Sequence, residues 1–244
     1  MKYKNKIFLT FDLDWAHDEV FQVTLDILRK HELKATIFIT HETKHLIELR
    51  NNPKIELGIH PNFNKLLNRQ ENKKIEDIID SNLNMVPEAI GVRCHALFQS
   101  SYILKNLKDK RMRYDSNLYI PITSGMNLEP FEDWNGLVRI PYIWEDDIHC
   151  MDISNNILEH WDSKRFLDYD YLKVFNFHPI HIFLNTENIE RYYKAKKYCQ
   201  DVRSLKKFIN DNESNGTRVF FEKLIMEAKE MGYEFCLMKN IILP

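Results

Sequence analysis

The stretch that most constrains this chain is Ile7 to Asp14, I-F-L-T-F-D-L-D, which runs on into Trp15-Ala16-His17-Asp18-Glu19. Its opening residues are apolar apart from Thr10, the pattern of a short strand covered on both faces. The run ends in two carboxylates, Asp12 and Asp14, one residue apart. On an extended chain, residues two apart point to the same side, so both carboxylates address one point beyond the strand's end. Gathering and desolvating two acids there is unfavourable unless a cation sits between them. A divalent cation answers that need. The plainer alternative is that both are turn and cap residues ahead of a helix beginning near Asp18.

Further along, apolar and β-branched runs predict strands at 34–39, 54–59, 89–93, 112–115, 137–143, 171–177 and 234–238. Between them, helical spacing predicts helices at 18–31, 41–51, 73–85, 101–108, 188–207 and 217–231. The middle, 118–132, reads as irregular with Pro121, Gly125 and Pro130, and the acidic Glu145-Asp146-Asp147 as a solvated loop. Strands alternating with helices imply parallel β/α units. The polar residues decide the architecture: Asp12/Asp14, His60/Asn64, Arg93/His95, Asp115 and His178/His181 each follow the end of a predicted strand. In a parallel barrel those ends share one rim, whereas a doubly wound sheet gathers only those beside its crevice. The expectation is an α/β fold, a (β/α) barrel that is irregular or seven-stranded, in one domain over 1–244, with its site at the C-terminal rim.

The 244 residues carry a net charge of −2, so no basic field awaits nucleic acid or an anionic membrane. The four cysteines are scattered without a C-x-x-C pair, which points to reduced thiols and a cytoplasmic protein. The start reads as having no leader, and no run approaches the ~20 apolar residues of a membrane span.

A catalytic metal site wants about three protein ligands and an open position. Asp14 offers an oxygen, His60 a nitrogen, and Asn64 an amide oxygen if its loop turns back. Asp12 beside such a metal is a natural general base. With these residues assembled, the chain resembles the polysaccharide deacetylase family, the NodB-homology carbohydrate esterases, and within it a divergent WbmS-like group. T-F-D-L-D resembles the first motif of that family, which makes Asp12 the base and Asp14 a metal ligand. E-L-G-I-H-P-N-F-N resembles the second, where two histidines four apart bind the metal; His60 matches the first and Asn64 stands in place of the other. G-V-R-C-H-A resembles the third, whose arginine orients the base, so Arg93 inherits that role. His95 stands where the family has proline, either as an extra ligand or as a substrate contact. Y-D-S-N stands at the fourth motif with Asp115, and F-N-F-H resembles the last, whose histidine is the general acid, here His178.

The resemblance implies a divalent metal, zinc first with cobalt, nickel or iron as alternatives, and hydrolysis of an N-acyl group on a nucleotide-linked or lipid-linked sugar in surface glycan or lipopolysaccharide synthesis. Trp15, His95 and Asp115 are the expected substrate contacts, Trp15 as a stacking platform. His181 is expected as a supporting residue. No role is expected for His17, His31, His41, His45, His149 or His160. Two alternatives stay open: hydrolysis of a non-sugar C–N bond on the same fold, and a degenerate barrel that binds a glycan without cleaving it.

Overall fold

The protein is described by a computed structural model covering residues 2–157 and 161–243; His160 lies outside the described residues. Its strands are β1 (Lys6–Asp12), β2 (Ala35–Ile39), β3 (Ile55–Ile59), β4 (Gly91–Val92), β5 (Tyr114–Asp115), β6 (Phe131–Glu132), β7 (Val138–Arg139), β8 (Trp144–Glu145), β9 (Val174–Phe177) and β10 (Glu234–Cys236). They form one sheet in the order β6-β7-β5-β4-β3-β2-β1-β9-β8, with β10 paired to the start of β1. All pairings are parallel except β6 on β7.

One segment closes the figure. Residues 138–145 pair with β5 at their start through Asp115↔Arg139 and with β9 at their end through Trp144↔Phe175. A bridge joins Tyr119 to Tyr142 between the two. The curled sheet is thereby joined to itself, an irregular barrel in which 138–145 serves as the seventh stave, as expected from the alternation of strands and helices.

The central strands β2, β3 and β9 are buried throughout, and so is β1 beyond Lys6. Helices cover them outside and side chains fill them inside. The helix Asp18–Lys30 lays Val20, Phe21, Leu25, Ile27 and Leu28 against the sheet, and its acidic first turn suits the positive end of the helix. Inside the barrel, Tyr114 lies so close to Gly91 that an added Cβ would meet its Cζ at 2.0 Å. The Tyr114 hydroxyl donates to the buried Glu56 carboxylate at 2.8 Å.

Two predicted stretches fold differently, and a third, unassigned from the sequence, is helical. The run 188–207 is not one helix: Ile189–Ala195 ends in a 3₁₀ turn, and Val202–Leu205 starts afresh where Asp201 accepts the Ser204 N–H at 3.2 Å. An aspartate side chain that captures a backbone N–H begins a new helix rather than continuing an old one. The acidic run after β8 is not a loop but the first turn of the helix Asp146–Ser154. Its apolar residues make no single stripe, and carboxylates at its start are placed favourably for the helix dipole. The segment after β9 is also helical, Pro179–Leu184, with proline in the first turn, where its missing N–H costs nothing. Among the described residues, no helix is long and apolar enough to cross a membrane.

Candidate active site

Strand ends β1, β3, β4 and β9 bring Asp12, Asp14, His60, Arg93, His95 and His178 to one rim. Thr10 and Asp12 share the inner face of β1, and Asn176 and His178 share that of β9. The register pairs Thr10 with Asn176, and the Thr10 hydroxyl lies 3.1 Å from Asn176 Oδ1. Asp12 is 3% exposed and Arg93 fully buried. Arg93 Nη1 reaches Asp12 Oδ1 at 3.2 Å, and Asn176 Nδ2 donates to Asp12 Oδ2 at 2.8 Å. Arg93 Nη1 also donates to Thr10 Oγ1 at 2.9 Å, while Nε donates to the Ser116 carbonyl at 2.9 Å and Nη2 to Ser116 Oγ at 2.8 Å. Its plane lies between the rings of Phe38 and Tyr142, at 4.7 and 4.6 Å, a stacked setting that suits arginine and not lysine. Asp12 is thereby fixed at both oxygens.

Beyond Asp12 the chain turns sharply. Asp14 and Trp15 both adopt left-handed backbone conformations, φ +42° and +55°, which ordinary residues avoid and which cluster at functional sites. The turn places Asp14 Oδ1 3.1 Å from His60 Nε2 and 3.1 Å from His95 Nδ1. A second such turn, at Ala96 and Leu97 (φ +55° and +54°), follows His95. Burial pushes the Asp14 carboxyl up, yet the hydrogen bonds from His60 and His95 bring it well below its ordinary value. Around a four-coordinate ion with bonds near 2.1 Å, donor atoms stand about 3.4 Å apart, so the 3.1 Å edges here fit an ion. His60 Nδ1 is buried without a hydrogen-bond partner, and Asp12 Oδ1 is 3.6 Å away. That matches metal-binding imidazoles, whose second nitrogen faces a carboxylate. The residues present therefore fit a divalent cation.

Asn64 is the other ligand that the sequence suggests. It opens the short helix Asn64–Leu67, where its own N–H is taken by Asn62 Oδ1 at 2.8 Å. Asp115 is fully buried, gripped by Arg139 Nε at 2.5 Å and by Asn117 Nδ2 at 3.0 Å. Burial pushes its carboxyl up to about 6 despite Arg139. Trp15 is 40% exposed and meets the His95 ring edge-on at 5.1 Å. Beside it opens a cavity of about 190 Å³ bounded by Trp15, His60, Asn62, Lys65 and Lys73. A larger groove of about 670 Å³, near Asn185 and Met226, holds none of the convergent histidines, so chemistry rather than volume marks the site.

On the far side of Asp14, His178 Nε2 lies 3.7 Å from Asp14 Oδ2 and 3.9 Å from Asp12 Oδ2. Its Nδ1 meets Asp146 Oδ1 at 2.6 Å. Burial would push the imidazole down, but Asp146 and Asp147 hold it well above its ordinary value. Asp146 and Asn176 are the site residues that sequence reasoning missed. Both left a signal: Asn176 is polar between two phenylalanines in a core strand, and Asp146 follows a strand end, as the recognised residues do. His181 sits behind, with Nε2 on Asp147 Oδ1 at 2.5 Å. Asp146, Asp147, His178 and His181 form a second set of potential ligands. Their pairs at 2.5 and 2.6 Å are direct histidine–aspartate hydrogen bonds, shorter than ligand edges about an ion.

Residues 9–196 match the family model described as WbmS-like polysaccharide deacetylase. A crystal structure from Bordetella bronchiseptica, of a protein assigned as a polysaccharide deacetylase involved in O-antigen biosynthesis, is similar at 37% identity and a TM-score of 0.84, covering 92% of this chain and 91% of that one. The peptidoglycan deacetylase PdaC from Bacillus subtilis is similar at 13% identity and a TM-score of 0.53, covering 98% of this chain and 91% of that one. That second likeness is one of fold. No curated protein sequence matches the chain.

Proposed function

The chain belongs to the WbmS-like polysaccharide deacetylase family, and we propose that it is a metal-dependent hydrolase removing an N-acyl group, acetyl first, from a sugar in surface-glycan synthesis. The observation that carries this reading is the convergence of His178 Nε2 on Asp14 at 3.7 Å and on Asp12 at 3.9 Å, with Asp12 and His178 each fixed by a buried partner of its own. Asp14, His60 and His95 would hold the cation, with His95 rather than Asn64 as the third ligand. A divalent cation there supplies a Lewis acid that lowers the pKa of water and polarises an amide carbonyl; zinc is the first choice for an Asp-His-His set.

The chain's own groups supply the proton transfers. Asp12, oriented by Arg93 and Asn176, takes a proton from water attacking the carbonyl carbon. The C–N bond then breaks with its electron pair on nitrogen, and His178 Nε2 donates the proton that nitrogen needs. Asp146 keeps the Nδ1 side of the ring engaged, so Nε2 is the nitrogen that faces the reaction. Trp15 and the cavity beside it receive the sugar. A nucleotide-linked or lipid-linked N-acylated sugar handled in the cytoplasm is the substrate class we favour.

The test joins metal analysis to turnover. Near-stoichiometric zinc, cobalt, nickel or iron in the purified protein, with acetate released from N-acetylated sugars, supports the proposal. A protein that takes up metal but releases no acetate from any such sugar would overturn it in favour of non-catalytic glycan binding.

A further inference from the structure

Two histidine–aspartate pairs stand side by side at the rim, built in opposite senses. In one, the carboxylate of Asp146 is fully buried and His178 turns Nε2 toward Asp12 and Asp14. In the other, the ring is the buried member. His181 is 1% exposed, with Nδ1 on Thr186 Oγ1 at 3.0 Å and Nε2 on Asp147 Oδ1 at 2.5 Å. Tyr192 packs on that ring at 4.8 Å. A third of the Asp147 side chain is open to solvent, and one of its oxygens lies within 4.8 Å of a His178 ring nitrogen. With both nitrogens engaged, His181 has nothing of its own to offer a ligand. It presents the anion it holds.

We propose that Asp147 recognises the nitrogen released by hydrolysis, and that His181 is the positioning residue that keeps it there. The inference rests on the hydrolase reading above. Amide hydrolysis turns a neutral amide and water into a carboxylate and an ammonium. Water supplies the oxygen to the acyl carbon and the C–N electron pair stays on nitrogen. Nitrogen ends with one proton from His178 and a further one that balances the ionised acid. The group beside His178 thus changes from neutral to cationic as reaction proceeds. A fixed carboxylate there is complementary to the late stage and not to the starting amide, which is how binding energy is directed to the reaction rather than to the ground state.

The test uses the metal-loaded protein, UDP-N-acetylglucosamine as substrate and its deacetylated amine, UDP-glucosamine, as inhibitor. Asp147→Asn keeps an oxygen for His181 and removes the charge. It should weaken inhibition by the amine about tenfold while the KM for the amide substrate stays within about twofold. His181→Ala should do the same, and His181→Gln, whose amide N–H still reaches Asp147, should restore inhibition. A measurement on wild type alone guards against variants that fail to fold: the amine should inhibit about tenfold better than UDP-glucose, which carries a hydroxyl in its place. Equal inhibition by the two, or unchanged inhibition in Asp147→Asn, overturns this inference while wild-type turnover leaves the hydrolase reading standing. Absence of wild-type acetate release from N-acetylated sugars, whether free, nucleotide-linked or lipid-linked, overturns both.

Discussion

Asp146 grips His178 twice: Oδ1 meets the ring Nδ1 at 2.6 Å, and Oδ2 accepts the backbone N–H of the same residue at 2.7 Å. One carboxylate therefore sets both where His178 leaves the strand and which ring nitrogen faces Asp14. Because Asp146 and Asp147 outweigh burial and raise the imidazole well above its ordinary value, an acid role survives through neutral pH and fails as pH climbs past that raised value. Asp146→Asn removes the larger favourable charge, so the alkaline limb of the pH–rate profile should move to lower pH by about one to two units. The same sign holds for stability. A raised folded-state histidine contributes fully below its unfolded value near 6.5 and is lost as pH rises through the folded one. Urea melts of wild type and Asp146→Asn should therefore differ most in acid and converge in alkali; a gap that widened with pH would reject this account.

Arg93 is the residue whose loss should cost the fold most among those at the rim. Fully buried, it supplies Asp12 with a partner and ties β4 to Thr10 and Ser116. Arg93→Ala leaves Asp12 buried beside a void, for which about 3–5 kcal/mol is the expected loss in denaturant unfolding. Arg93→Lys should recover little of it, since an ammonium cannot stack between Phe38 and Tyr142 while reaching all of these oxygens. Full recovery by lysine would show that charge alone is at work.

Much of this site was legible because barrels gather strand ends. The pairs Thr10/Asp12 and Asn176/His178 follow the two-residue period of a strand, and a polar residue at such a position stands out against Phe11 and Phe177. What was not legible depends on backbone turns without a sequence signature. Ala96 and Leu97 carry positive φ without a glycine between them, so R-C-H-A-L leaves open whether His95 turns onto Asp14 or toward a substrate. Asn64 is the converse case: its spacing from His60 suits a returning loop, whereas Asn62 captures its N–H and a helical turn begins there. Asp146 was hidden within an acidic run that reads as solvated until β8 places it under His178.

Those two turns make a clean prediction about the metal. If His95 completes the set with Asp14 and His60, then His95→Ala should lower zinc affinity by well over the 10–100-fold typical of lost supporting contacts, and His60→Ala at least as much. Asn64→Ala should leave stoichiometry and affinity within about twofold. Competition against a chromogenic chelator measures all three on folded protein without reference to activity. Metal lost from Asn64→Ala and retained by His95→Ala would reverse the assignment.

Asp12 should separate chemistry from binding. Its two oxygens are occupied by Arg93 and Asn176, and Asp14, not Asp12, faces both His60 Nε2 and His95. Asp12→Asn preserves shape and keeps an oxygen for Arg93, yet it cannot accept a proton from water, and its new amide must find a place opposite Asn176 Nδ2. The expected outcome is acetate release lowered about 10²–10⁴-fold, with metal content unchanged and the thermal midpoint displaced by only a few degrees. Asn176 cannot flip to relieve the repulsion between the two amides, because its Oδ1 accepts from Arg93 Nη1, so the double change Asp12→Asn with Asn176→Asp should regain stability but not turnover. Activity returning with that swap would show that a carboxylate on β9 can act as the base, and the assignment to Asp12 would fall.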